Sequence, residues 1–242
     1  MEVQKPQLRA LIPADAADLA HAANDPRIAA NLKDVFPHPY TVEDAERFIA
    51  FCAAAPETVQ LSRAIVWQGR TAGMVSLTFG SDVYARTAEV GYWLAADLWG
   101  QGIAAAAVGE LCRMAFADLG MERLWAAVFE GNGASCRVLE KCGFTREATL
   151  RRAARKNGKT LDVMLYGRWK AEGEEENSLA RCAAWRTAPG ARPLPPCCLM
   201  RPACPTGPIY LPRIKGKDAA CAASFPAWGK DEENRGKTKE NK

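Results

Sequence analysis

Residues 89–104 constrain the fold more than any other stretch of the chain. Glu89-Val90-Gly91-Tyr92-Trp93-Leu94 has the β-branched and aromatic content of a strand. Trp99-Gly100-Gln101-Gly102-Ile103-Ala104 then supplies a glycine turn that opens into an alanine-rich, helix-favouring run. A strand, a tight turn and a helix start in succession turn unpaired backbone N–H groups and the positive end of a helix toward an anion. Glycines at 100 and 102 tolerate positive φ and place no Cβ between the main chain and a phosphate. The middle of the chain is therefore predicted to hold a phosphorylated cofactor.

The flanking elements follow from periodicity and turn chemistry. Gln7–Ile12 is predicted as a short strand and Asp15–Asn24 as a helix. Phe36-Pro37-His38-Pro39-Tyr40 makes a rigid loop, because two prolines fix φ and remove donors. Thr41 and Asp44 have the spacing of an N-terminal capping box, followed by Ala45, Phe48, Ile49 and Cys52 at helical intervals. Val59–Trp67 and Thr71–Phe79 flank Gln68-Gly69-Arg70 as a hairpin, and Ala88–Leu94 is the next strand. A helix over 102–119, a strand over 123–129 and a short helix over 132–141 come next, the last stopped by Gly143. The 123–129 strand is nearly all apolar, which predicts burial on both faces. Strands at 145–154 and 161–169 close the series around Asn157-Gly158. The expectation is an α/β (α+β) domain whose mixed sheet of six to seven strands carries a single central β-α-β crossover.

Composition matters here for where it changes. Residues 1–172 balance in charge, so the formal +4 of the chain falls entirely beyond them. A neutral main domain gives no electrostatic reason to expect a nucleic-acid partner. The expected division is a domain over 1–172 and a Pro-, Cys- and Lys-rich, low-order tail over 173–242. The apolar stretch from Ile103 to Ala117 is interrupted by Glu110 and Arg113, so no membrane span is expected. The first residues lack the basic start and apolar run of a leader, which points to a cytoplasmic protein. A monomer or homodimer is expected. Cys52, Cys112, Cys136 and Cys142 show neither CxxC pairing nor a histidine at ligand spacing, so reduced thiols and no metal are expected.

Two cofactors compete for the glycine turn. Gly100-x-Gly102-x-x-Ala105 satisfies a dinucleotide fingerprint, and Glu130 ends the following strand where a ribose-binding acid would stand. That reading, a dinucleotide-binding oxidoreductase, needs repeated parallel strand–helix units, whereas the preceding strands form an antiparallel hairpin. The run from Ala88 to Phe144 instead resembles the GNAT superfamily of N-acetyltransferases. The nearest branch is that of the ribosomal-protein N-terminal acetyltransferases (RimJ/RimL-like). The likeness is carried by Glu89–Leu94, by Trp99–Ala104 and by Asn132-x-x-Ser135-x-Arg137-Val138-Leu139-Glu140-Lys141-Cys142-Gly143-Phe144. Upstream, Phe36–Thr41 with Glu43-Asp44-Ala45 is similar to the same branch. The resemblance spans about residues 6–170.

The resemblance implies a GNAT fold binding acetyl-CoA where two parallel strands splay apart, with no metal. Its cofactor-binding positions map onto Leu94, Trp99, Gly100, Gln101, Gly102, Ile103, Ala104 and Asn132. In the family a Gln or Arg opens the pyrophosphate turn; here Trp99 replaces it and removes a donor or charge. Pyrophosphate binding would then rest on backbone amides and the helix dipole, worth about 0.3–2 kcal/mol.

Acetyl transfer to an amine requires a base for the ammonium, stabilisation of the thioester oxygen and reprotonation of the departing thiolate. Glu89 is the candidate base, a carboxylate among apolar strand neighbours and beside the turn; the alternative is an ion pair with a hairpin arginine. Asn132 is a natural N-cap, and the resemblance gives it a hydrogen bond to the pantetheine arm or a catalytic water. The resemblance also makes Ser135 the proton donor to the thiolate, where many relatives have tyrosine; otherwise it is a solvated helix-start serine. Cys136 and Cys142 have no histidine at hand, which favours direct attack by the amine over an acyl-cysteine. His38 either lines the acceptor cleft or is solvated. Arg151, Arg152, Arg155 and Lys156 are either a solvated strand edge or a contact for CoA phosphates or an acidic acceptor. The acceptor is expected to be a peptide N-terminus or a small amine. The competing possibility is a catalytically inactive CoA-binding sensor.

Overall fold

The computed structural model describes residues 5–170. The predicted low-order tail lies outside the described residues. Seven strands form one sheet in the order β1-β2-β3-β4-β5-β7-β6. They are β1 (Gln7–Arg9), β2 (Gln60–Trp67), β3 (Arg70–Phe79), β4 (Thr87–Leu94), β5 (Arg123–Phe129), β6 (Thr145–Lys156) and β7 (Lys159–Trp169). The helices are α1 (Ala16–Ala23), α2 (Pro26–Ala29), α3 (Val42–Ala54), α4 (Ile103–Ala117) and α5 (Gly133–Lys141).

β1 through β4 run antiparallel, and β4–β5 is the parallel step, crossed by α4. β5 returns to antiparallel pairing with β7, and β6 closes the far edge. This single crossover fits the mixed sheet expected from the strand spacing and leaves no repeated parallel unit for a dinucleotide fold. Glu130, the ribose-acid candidate, accepts a backbone hydrogen bond from Asp162 N at 3.2 Å instead.

Helices cover both faces. Ile103, Ala107, Val108, Leu111, Cys112, Ala115 and Phe116 of α4 bury against Val75, Leu77, Ala88, Val90, Leu124, Ala126 and Val128 of the sheet. The other face carries a smaller cluster of Leu19, Ala20 and Ala23 from α1, Ala45 and Ile49 from α3, and Tyr40, with Phe36 and Trp93 packed against it. The α3 start is the predicted capping box: Thr41 Oγ1 accepts from Asp44 N at 3.1 Å and Asp44 Oδ2 accepts from Thr41 N at 2.9 Å. A cap of this kind is worth about 1 kcal/mol.

Three expectations change. β1 stops at Arg9, because the chain turns at 12–15 to bring Asp15 under Arg9. β5 is buried on one face: Leu124, Ala126 and Val128 are covered, while Ala127 is exposed and Trp125 and Phe129 are half-buried. Apolar composition here did not mean two covered faces. β6 runs on to Lys156 with almost every residue exposed, as the edge strand, and kinks at two bulges.

Candidate active site

β4 and β5 pair only through Thr87↔Arg123, Ala88↔Leu124 and Glu89↔Trp125. Beyond Glu89 the two strands separate, and a cavity of about 390 Å³ opens between them. It reaches from Gly100 and Ala104 at one end to Phe36 and Phe51 at the other.

Alternation along β4 divides its side chains between the two mouths of the fork. Glu89 and Trp93 project toward the α1/α3 side, where Trp93 packs on that cluster. Val90, Tyr92 and Leu94 project toward α4 and α5. Glu89 thus faces one side of the fork and Tyr92, with α5 behind it, the other.

At the α4 end, Gly100 and Gly102 have φ of 80° and 81°. A Cβ at either would meet nothing within 4 Å, so the space over the turn is open and the positive φ is what demands glycine. No side chain caps the α4 N-terminus. Gly100, Gly102, Ile103, Ala104 and Ala105 line the cavity there. Open backbone, a fifteen-residue helix start and absent side chains fit a pyrophosphate. Gln101 instead turns its amide onto the Asp97 carbonyl at 3.2 Å and is not among the lining residues.

Trp99 has a structural task that the sequence did not disclose. Its Nε1 donates to the Leu94 carbonyl at 2.8 Å, tying the turn back to the end of β4. The Arg27 guanidinium, itself paired with Asp25 at 2.6 Å, lies 5.3 Å from the indole centroid. Arg27 lines the same cavity, so α2 brings a cation beside the turn that lacks the family's Gln or Arg.

At the α5 end, Asn132 does cap: its Oδ1 accepts from Ser135 N at 3.1 Å. Both Asn132 and Ser135 line the cavity. Ser135 is not a solvated serine, because its Oγ lies 2.7 Å from the Tyr92 hydroxyl. Tyr92 also reaches the Ser135 carbonyl at 3.1 Å. Burial pushes the Tyr92 phenol well above its ordinary range, although the Ser135 bond pulls the other way. Tyr92 is therefore held neutral. Sequence reasoning passed over it; its place on the same strand face as Val90 and Leu94 was the available signal.

Glu89 is 15% exposed at the fork. Its partner is Lys33, from the segment after α2, with Nζ 3.4 Å from Oε1, and not a hairpin arginine. Burial raises the carboxyl above its ordinary value, and the Lys33 ammonium partly offsets that by charge and hydrogen bond. Phe36, Phe48, Phe51 and Trp93 make an aromatic wall on this side.

The remaining candidates stand apart. His38 is exposed and does not line the cavity. Arg151, Arg152 and Arg155 do not line it either; Lys156 is buried and donates to Asp34 Oδ1 at 2.7 Å. All four described cysteines are free, and burial pushes Cys52 to about 11 and Cys112 to about 12. Among the described residues no helix is long and apolar enough to cross a membrane.

Comparison with known proteins agrees with this geometry. Residues 7–145 match the family described as "Acetyltransferase (GNAT) domain". The chain is 34% identical over 116 residues to the "Putative ribosomal N-acetyltransferase YdaF" of Bacillus subtilis (strain 168), covering 48% of this chain and 63% of that protein. In fold it is similar to Mycobacterium smegmatis RimJ in complex with CoA-disulfide, at a TM-score of 0.63 and 24% identity, covering 73% of this chain and 87% of that one. It is also similar to the microcin C7 self-immunity acetyltransferase MccE in complex with acetyl-CoA and AMP, at a TM-score of 0.62 and 24% identity, covering 69% and 93% of the two chains. With its family matched over more than half its length and the fork, turn and α4 start in place, the chain belongs to the GNAT acetyltransferase family.

Proposed function

We propose that this chain transfers acetyl from acetyl-CoA to a primary amine, a peptide N-terminus or small amine, by direct attack. The observation that carries this is the β4–β5 fork, which sets Glu89 on one side and the Tyr92–Ser135 pair on the other. A thioester held between the strands would meet the amine from the Glu89 side and expel sulfur toward Ser135. Acetyl-CoA supplies the activated acyl group; every other element belongs to the chain.

Gly100, Gly102 and the first amides of α4 hold the pyrophosphate, with Arg27 adding positive charge. Asn132 caps α5 through its Oδ1, and its Nδ2 group would donate to the pantetheine arm. Glu89, with its carboxyl raised by burial, takes a proton from the acceptor ammonium. The Tyr92 and Ser135 hydroxyls, 2.7 Å apart, act as a proton-sharing pair from which the departing sulfur takes its proton. No thiol in the cavity is needed. The aromatic wall beside Glu89 favours amines borne on an apolar skeleton, such as peptides beginning with Met, Leu or Phe.

The test is CoA release with peptides of varied first residue and with small amines. Turnover fastest on apolar N-termini is expected. Binding of CoA without release on any acceptor would overturn the enzyme reading in favour of a sensor.

A further inference from the structure

The segment between α2 and α3 brings an amine of this chain to the base. Lys33 Nζ lies 3.4 Å from Glu89 Oε1, and both residues line the cavity that also holds Ser135 and the Gly100–Ala104 turn. The next residue anchors the segment from outside: Asp34 Oδ1 accepts from Lys156 Nζ on β6 at 2.7 Å. Phe36 anchors it from inside, with its ring 4.9 Å from Tyr40 and 5.8 Å edge-on to Trp93. A lysine held this way presents a primary ammonium to Glu89 in the arrangement an external acceptor must adopt. Its side chain is 39% exposed.

We propose that Lys33 is a self-acetylation site, its ε-amine taking acetyl from acetyl-CoA with Glu89 as base. This rests on the acetyl-transfer reading above. Glu89 removes a proton from Nζ, and the freed lone pair forms the N–C bond to the acetyl carbonyl. The C–S bond breaks with its electron pair leaving on sulfur, and the Tyr92–Ser135 hydroxyl pair supplies the proton that makes the thiol. The second Nζ proton, shed as the amide forms, replaces the one that pair gave up. The products are Nε-acetyl-Lys33 and free CoA, and no oxidant or further reactant is required. The modified side chain is neutral and larger, so it no longer counters the Glu89 charge and it narrows the acceptor side of the cavity.

The full chain is incubated with acetyl-CoA and no acceptor, and acetylation at each lysine is followed by peptide mass spectrometry. Exposed Lys5 and Lys159 report the chemical background. Lys33 is expected to label at least ten-fold faster than either, at a rate per molecule independent of protein concentration. Glu89→Gln brings Lys33 to background, and Lys33→Arg removes the added acetyl group from the intact mass. Acetyl phosphate, a chemical donor, labels wild type and Glu89→Gln alike.

Lys33 labelling at background while an external amine is turned over overturns the inference and leaves the proposed function standing. Lys33 labelling without turnover of any external amine supports the inference and overturns the acceptor reading. Failure of both, with CoA binding measured by calorimetry, overturns both.

Discussion

The Tyr92 hydroxyl lies 2.7 Å from Ser135 Oγ, joining the middle of β4 to the first turn of α5 across the mouth of the fork. A serine alone is a weak proton donor. A buried, neutral phenol hydrogen-bonded to its hydroxyl positions the serine and can share its proton when charge develops there. Ser135→Ala is expected to lower kcat by about 10²-fold or less, the low edge for positioned acid–base groups. Tyr92→Phe removes both hydrogen bonds to Ser135 and should cost about two- to ten-fold. The double variant should be no slower than Ser135→Ala, because the phenol acts through the serine. Additive losses in kcat would show that the two hydroxyls work independently.

The parts of the site that local sequence determines were legible in the chain; contacts made by packing were not. The turn was legible because Gly100 and Gly102 are demanded locally by positive φ, and α3 because Thr41 and Asp44 cap within three residues. Glu89 stood out as a charge in an apolar strand. Tyr92 and Ser135 are 43 residues apart, so their meeting depends on how α5 docks on the sheet. The Lys33–Glu89 contact spans 56 residues and depends on a segment with no periodicity. Arg27 over Trp99 is of the same kind: each is unremarkable locally, and only packing of α2 beside the turn brings them together. Two-faced burial of β5 failed because apolar composition does not say which elements pack on each face; only the face of Leu124, Ala126 and Val128 is covered.

Glu89 should show its environment in the pH profile. Burial raises its carboxyl and Lys33 partly offsets the rise, so the acid limb of kcat/KM lies above the ordinary glutamate value. Lys33→Met removes the offset and should move that limb to higher pH; movement to lower pH would refute the assignment. Because the folded-state value is raised, ionised Glu89 detracts from stability once the pH passes it. Glu89→Gln should therefore lower kcat by about 10²–10⁴ without lowering Tm at neutral pH. A clear loss of Tm would mark Glu89 as structural.

Asp15 has the opposite sign. Burial alone would raise its carboxyl, but the Arg9 guanidinium, the Thr71 hydroxyl and Ile12 N together hold it at about 2. Its contribution is complete above the unfolded value near 4 and disappears as pH falls toward 2. Asp15→Asn should cost about 1.5–3 kcal/mol at pH 7 by denaturant unfolding, the usual range for bonds to a charged group. The two stability curves should converge toward pH 2. Parallel curves throughout would show that this cluster does not carry acid sensitivity.

Trp99 offers the sharpest separation of cofactor binding from chemistry. Its indole N–H fastens the turn to the Leu94 carbonyl, 2.8 Å away and remote from the Glu89 carboxylate side. Trp99→Phe keeps a ring beneath Arg27 but loses that bond, so KM for acetyl-CoA should rise about two- to ten-fold at unchanged kcat. Trp99→Arg restores a charge of the family's kind but sets it against Arg27, whose guanidinium now lies over the ring. Two cations at one turn favour the pyrophosphate and repel each other when it is absent. The Arg variant should thus bind CoA more tightly, with a steeper weakening by salt, while its ligand-free Tm falls. CoA affinity unaffected by either substitution would show that the backbone amides of α4 hold the pyrophosphate without help from residue 99.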